Sequence, residues 1–200
     1  MSLDSSLPPH FTTESRVRHR YFTFPRLAQM SLSELKEVFD NGETPDVNEL
    51  QGWEFRGWNV GKITRLLGFQ KFRKGFLPSD GGLHPRQCMG YNVIVEQNGL
   101  RDPHLALPDE LNPKRHGYYL ATPCEVYGQE NLHPHALLLD YGRGEGDDPF
   151  YHPARLLRDY LVQVEAGNPD LYLGVAYLAL GPARVFSGYF VLERYNMIGL

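Results

Sequence analysis

The sequence has few cysteines, no long apolar segment and no marked excess of charge. Cys88 and Cys124 are its only cysteines, which excludes a disulfide framework and a four-cysteine zinc site. No stretch reaches the roughly 18 apolar residues that span a membrane as a helix, and the N-terminal segment lacks the apolar core of a signal peptide. We therefore expect a cytoplasmic protein with reduced thiols and no membrane span.

The charge balance argues against a nucleic acid as partner. The 200 residues carry 20 basic and 24 acidic side chains, a net charge of −4, whereas nucleic-acid-binding domains are usually basic. Apolar residues make up 42% and aromatic residues 12%, enough for a core, so wholesale disorder is excluded. The 20 glycines and 15 prolines indicate many turns, as in an all-β protein.

One helix is expected before the strands begin. Apolar residues recur at helical spacing over residues 32–39. Ser31 and Glu34 have the spacing of a capping box, in which each side chain accepts a hydrogen bond from the other residue's N–H. Gly42 follows the helix, where a left-handed residue often ends one. The pattern predicts a helix of about three turns that covers part of a larger structure.

Beyond Gly52 the residue pattern is typical of β-strands. Segments rich in β-branched and aromatic residues alternate with clusters of Gly, Pro, Asn and Asp. We expect eight strands, at residues 53–59, 69–77, 88–97, 118–127, 136–141, 156–164, 172–180 and 184–195. The short Gly181-Pro182 turn predicts a hairpin between the last two. Eight strands without intervening helices favour an antiparallel barrel, with a β-sandwich as the alternative.

Two parts of the chain resemble a known family. The run FDNGETPDVNELQGWEFRGWNVGK resembles the start of the GXWXG-type proteins, in which a short helix leads into a Gly-x-Trp-x-Gly strand. FQKFRKGF resembles the strand that follows it there, with Lys74 or Lys71 and Phe76 in similar roles. The stretch from LLLDYG to LERY is similar to the domain of unknown function that usually accompanies that motif, so the resemblance covers residues 32–76 and 136–195.

The resemblance implies a calycin-type barrel, like those of lipocalins and fatty-acid-binding proteins. Residues 31–200 would form this single domain, and residues 1–30 an N-terminal tail. Because the chain reads GWEFRGW where the family has Gly-x-Trp-x-Gly, the equivalent tryptophan is Trp53 or Trp58. In calycin barrels a first-strand tryptophan closes one end and a last-strand arginine lies over its ring. Those positions fall to Trp53 and Arg194, whose cation–π contact would contribute about 0.5–2 kcal/mol.

Such a barrel is wide enough to hold a small ligand. We expect Tyr119, Arg158, Tyr160 and Tyr177 to line a cavity for a small, largely apolar, lipid-like molecule. A run of basic residues interleaved with phenylalanines would suit an anionic group on this ligand. It comprises Lys62, Arg65, Lys71, Arg73 and Lys74.

Other functions remain open on the same barrel. A small-molecule enzyme would use Asp140 or Asp159 with a histidine such as His135 as an acid–base pair. His133 and His135, two residues apart in an extended segment, could hold a metal with His152 or Asp140, and a haem with one axial histidine is a further alternative. We expect neither a cofactor nor a metal. A filled barrel that acts as an interaction module, and a homodimer, also stay open.

Overall fold

In a computed structural model of the chain, eight antiparallel strands form a closed barrel. The structure describes residues 22–61, 68–79, 81–124, 130–149 and 151–199. Each strand pairs with its neighbours in the sequence, and the last pairs with the first. The strands are β1 (Trp53–Val60), β2 (Lys71–Phe76), β3 (Cys88–Val93), β4 (Arg115–Pro123), β5 (Leu137–Asp140), β6 (Leu157–Gln163), β7 (Leu171–Leu180) and β8 (Ala183–Met197). The predicted all-β barrel with a short N-terminal helix is thus confirmed, and it is compatible with a calycin-like fold.

Three short helices precede β1: α1 (Phe24–Leu27), α2 (Leu32–Asp40) and α3 (Val47–Leu50). The capping box predicted for α2 is present, since Ser31 Oγ accepts from the Glu34 N–H and Glu34 Oε2 accepts from the Ser31 N–H. Gly42 does not adopt the predicted left-handed conformation. Glycine is needed there because a Cβ atom would lie 2.6 Å from the Val162 side chain on β6. No helix in the described parts of the chain is long and apolar enough to cross a membrane.

The inner face of the barrel is aromatic and aliphatic. One cluster of buried side chains draws members from all eight strands, and only the lumen is adjacent to every strand. We call it the inner cluster; its strand members include Phe55, Phe76, Cys88, Tyr119, Leu139, Leu161, Tyr172 and Phe190. The lumen is therefore filled along much of its length by the chain's own side chains.

The outer face is also buried over β5 to β8, because the N-terminal helices pack against it. Phe24 and Leu27 of α1 and Leu35 and Phe39 of α2 are at most 1% exposed. They contact outward-facing residues of the strands, which we call the outer cluster: Leu138, Tyr160, Val162, Leu173, Val175, Tyr189 and Val191. Residues 22–30, which belong to the predicted tail, thus pack on the barrel where the structure describes them; the domain boundary itself stays a prediction.

Four glycines lie directly opposite an aromatic residue on the next strand. The pairs are Gly57 with Phe72, Gly75 with Tyr91, Gly90 with Tyr119 and Gly174 with Phe190. In each pair a Cβ atom on the glycine would lie 2.0–2.4 Å from the nearest ring atom, so the ring occupies the space that a side chain would take. Glycine–aromatic pairing of this kind lets large rings pack flat against a strongly curved sheet.

One end of the barrel, which we call the lower end, is where β1, β3, β5 and β7 begin. Val47 and Leu50 of α3, fully or almost fully buried, pack against the inner cluster there. At the upper end, where those strands finish, Leu178 and Ala179 of β7 are only partly buried, and the β7–β8 hairpin turns at Gly181-Pro182 as predicted. Helix α3 therefore covers the lower end of the barrel.

Candidate functional site

A buried polar cluster lies in the upper half of the lumen. Lys74 of β2 shares a face with Phe72 and Phe76, so its side chain points inward. Its Nζ donates to Asn92 Oδ1 at 3.0 Å and to the hydroxyl of Tyr141, and lies 3.1 Å from Asp159 Oδ2. We call these four residues the Lys74 cluster: Lys74, Asn92, Tyr141 and Asp159.

Aromatic rings surround the ammonium group of Lys74. Nζ lies 4.9 Å from the ring centroids of both Tyr119 and Tyr141, 5.3 Å from that of Phe190 and 5.6 Å from that of Phe72. Ring faces carry partial negative charge, so these contacts help to stabilise a cation away from water. The site thus combines an aromatic enclosure with a single ion pair.

Burial shifts the pKa values of Lys74 and Tyr141 in this cluster. Desolvation lowers the pKa of Lys74, and the nearby carboxylate of Asp159 opposes that shift. Burial, reinforced by the charge of Asp159, holds the pKa of Tyr141 well above its usual value. At neutral pH the phenol is therefore protonated and donates to Asp159 Oδ2 at 3.1 Å.

One hydrogen-bond acceptor of the cluster has no partner in the described structure. Asp159 is 4% exposed, and its Oδ2 receives the hydroxyl of Tyr141 and the charge of Lys74. Its other oxygen, Oδ1, is buried and has no hydrogen-bond partner within the described structure. A buried acceptor without a partner is uncommon, because desolvating it costs about 1–3 kcal/mol. This atom is therefore able to accept one further hydrogen bond.

The residues expected to line the cavity are divided between the two faces. Tyr119 faces the lumen, and its hydroxyl donates to the Gly75 carbonyl at 3.0 Å. Tyr160 and Tyr177 instead lie on the outer face, where their rings pack against that of His133 at 5.0 and 5.7 Å. The residue next to Tyr160 on β6, Asp159, points into the lumen, as does Ala176 next to Tyr177 on β7.

Arg158 and Asp140 also lie on the outer face, outside the lumen that Tyr119 faces. Arg158 Nε is 3.1 Å from Asp140 Oδ1 and 3.6 Å from Glu130 Oε1. Glu130 in turn pairs with Arg184 of the last hairpin. These ion pairs tie neighbouring segments together on the outside of the barrel.

The expected acid–base pairs do not form, because the groups lie on different sides of the barrel wall. Asp159 points into the lumen, Asp140 points outward, and His135 Nε2 donates to the Phe39 carbonyl, 3.1 Å away, beside α2. The other histidine of this segment, His133, is also outside the lumen, with its Nε2 3.0 Å from the Tyr177 hydroxyl. His152 is elsewhere, near Asp148. Nowhere in the described ranges do three His, Cys, Asp or Glu side chains converge as a metal site would require.

The basic run does not form one surface. Lys62 and Arg65 fall outside the described residues, and Lys74 points inward. Lys71 and Arg73 point outward, beneath the loop at residues 94–114. Lys71 Nζ donates to the side chain of Asn98 and to the carbonyls of Gly99, Asp102 and Pro103. Arg73 binds Glu110, Glu54 and the His104 carbonyl. Both cations therefore fasten this loop to the barrel wall.

The lower end holds the tryptophan and arginine expected from the resemblance. Arg194 Cζ lies 4.5 Å from the ring centroid of Trp53 and 5.5 Å from that of Phe55. The guanidinium also binds Asp170 and the carbonyls of Glu49 and Pro169. Trp58 lies on the opposite face and packs against the outer cluster, so Trp53 is the tryptophan with the inward position.

The fold and the site define a closed antiparallel barrel with a buried lysine–aspartate pair in an aromatic lumen. No protein-family model matches the chain, and no curated protein matches it. The sequence did single out Asp159 and Lys74, but for other roles, and it did not single out Asn92. The signal for Lys74 was the alternation Phe72-Lys74-Phe76, which places the lysine on the aromatic face of its strand.

Proposed function

We propose that the protein binds a small, largely apolar, lipid-like molecule in the upper half of the barrel, with the polar end of that molecule at the Lys74 cluster. The observation that carries the proposal is the buried polar cluster itself. Small-molecule sites are typically apolar enclosures with a few polar groups that fix the orientation of the ligand. An ion pair set among aromatic rings, with an unused acceptor, has that composition.

The surroundings of the cluster support entry from the upper end. Ala176 packs against the inner cluster in that half of the barrel, and its side chain is smaller than the rings below. Apolar side chains with 46–67% exposure lie near the upper end: Phe69, Leu156, Leu180, Val185 and Phe186. Exposed apolar groups around an opening favour the passage of an apolar ligand. We further propose membership of the calycin group and, because Cys88 and Cys124 are unpaired, a cytoplasmic location.

The test is a pair of matched substitutions on one strand. Ala176→Phe adds a ring on the inner face of β7, whereas Ala179→Phe adds the same ring three residues later on the outer face. We expect the neutral dye Nile red to bind the wild type and Ala179→Phe saturably at micromolar protein, and to lose this binding in Ala176→Phe. Thermal unfolding of all three proteins shows whether each is folded.

Native mass spectrometry adds an independent measurement. A ligand carried through purification would appear as an adduct absent from the denatured mass, and Ala176→Phe should lack it. A bare native mass together with no saturable Nile red binding to the wild type would overturn the proposal in favour of a filled barrel.

A further inference from the structure

The hydrogen bonds of the Lys74 cluster constrain the chemistry of a ligand's polar end. The ammonium of Lys74 has three N–H donors, and it has three acceptors within reach: Asn92 Oδ1, the Tyr141 hydroxyl and Asp159 Oδ2. The Tyr141 proton is directed to Asp159 Oδ2. Asn92 Nδ2 donates to the Gly117 carbonyl at 3.1 Å and lies 3.2 Å from the Tyr141 hydroxyl. Every strong donor of the cluster is therefore engaged.

The unused group is an acceptor. Asp159 Oδ1 is the one carboxylate oxygen of the cluster without a partner in the described structure. Since Lys74 and Asp159 carry opposite charges, the cluster has no net charge to attract an ion. An anionic head group would approach a bare carboxylate oxygen and find no free donor, so it would be repelled and left unsatisfied.

We propose that the polar end of the ligand is a neutral hydrogen-bond donor, a hydroxyl or an amide N–H, that binds Asp159 Oδ1. This inference rests on the proposed function and narrows it to long-chain alcohols, amides and similar neutral donors. Carboxylates such as free fatty acids are disfavoured. The basic run of β2 suggested an anionic group, but its inward member is already neutralised by Asp159.

Three compounds with the same apolar chain separate these chemistries. Decan-1-ol carries a donor, methyl decanoate carries only acceptors, and decanoate carries a negative charge. We expect decan-1-ol to displace Nile red from the wild type at concentrations roughly tenfold or more below those needed for the other two, since one hydrogen bond to a charged group is at stake.

The variant Asp159→Asn should reverse this order. Its amide oxygen is expected at the position that receives Lys74 and Tyr141, which leaves the NH₂ group, a donor, at the position of Oδ1. The variant also leaves the charge of Lys74 uncompensated, so decanoate should become the strongest competitor. The matched control is Asp140→Asn, the same substitution on the outer face, which should keep the order of the wild type.

The outcomes distinguish the two proposals. If none of the three compounds displaces Nile red from the wild type, the proposed function fails. If all three compete equally, or if decanoate competes best, the protein binds apolar molecules but the donor assignment is wrong. The order measured on the wild type decides the assignment even if Asp159→Asn does not fold.

Discussion

Removing one partner of the Lys74–Asp159 pair should destabilise the protein far more than removing both. Lys74→Met keeps most of the apolar stem but leaves the carboxylate of Asp159, 4% exposed, with only the Tyr141 hydroxyl as a partner. Leaving a buried charge uncompensated typically costs about 3–5 kcal/mol. Asp159→Leu should cost a similar amount, because it strands the ammonium of Lys74 among aromatic rings.

The double variant Lys74→Met/Asp159→Leu should recover most of that loss. Two apolar side chains of similar volume replace two charges, and such exchanges are often neutral or stabilising. Asn92 and Tyr141 can still bond to one another across their 3.2 Å separation. We expect the double variant to lie within about 2 kcal/mol of the wild type, which is a strong coupling between the two sites.

Urea unfolding followed by tryptophan fluorescence measures these free energies, provided that the slope with urea concentration is unchanged. The control is the exposed pair Lys36 and Asp40 of α2, where Lys36→Met should cost no more than about 0.5 kcal/mol. If the two lumen substitutions were additive, so that the double variant were the least stable of all, the view of Lys74 and Asp159 as a mutually neutralising buried pair would be refuted.

Three further predictions concern the rest of the barrel. Burial, with the neighbouring positive charges of Lys71 and Arg73, lowers the pKa of His104 from 6.5 to about 4, so the unfolded chain binds a proton that the folded protein does not. Stability should therefore fall by about 3 kcal/mol as the pH drops from 6.5 towards 4, and urea unfolding of His104→Gln should show a weaker loss at about pH 5. Gly174→Ala places a methyl group 2.0 Å from the Phe190 ring and should lower the free energy of unfolding by about 1–3 kcal/mol or more. In thermal unfolding, the double variant Gly174→Ala/Phe190→Leu should recover part of this loss, because the smaller leucine leaves space for the methyl group. Arg194→Met should cost about 1–3 kcal/mol in urea unfolding, from the lost cation–π contact and the lost charged hydrogen bonds, and Arg194→Lys should recover little of it.

The strands and α2 were predictable because their signals are local. Turn residues separate all eight strands, and the capping box marks the start of α2 within one residue. The number of strands and the absence of helices between them favoured a closed sheet but left a β-sandwich as the alternative. Local conformation therefore carried most of the information about the fold.

The sequence did not determine which face of β6 points into the lumen and which points outward. Alternation distinguishes a buried face from an exposed one, but α2 covers the outer face of β6, so Asp159 and Tyr160 are both buried. No pattern within β6 could show which of the two enters the lumen. On β2, by contrast, the phenylalanines on either side of Lys74 indicate its face, and alternation there places Lys74 in the lumen.

The pairing of Asn92, Tyr141 and Asp159 with Lys74 was beyond the reach of the sequence for another reason. These residues come from four separate segments of the chain, and their meeting depends on the stagger of the strands around the barrel. Residue types alone do not specify that stagger.

The four glycine–aromatic pairs limit the diameter that the closed barrel can adopt. Each aromatic ring occupies the space above its glycine, so a shift of the strand register by two residues would push that ring into the side chain of another residue. In an open sheet, such a slip would affect one pair of strands. In a closed sheet the offsets between neighbours must sum to a fixed total, the shear, and an error at one seam has to be compensated at another. The strand pairs β1–β2, β2–β3, β3–β4 and β7–β8 each contain such a contact. The registers of four of the eight strand pairs are therefore fixed locally, which limits the shear and so the diameter of the closed barrel.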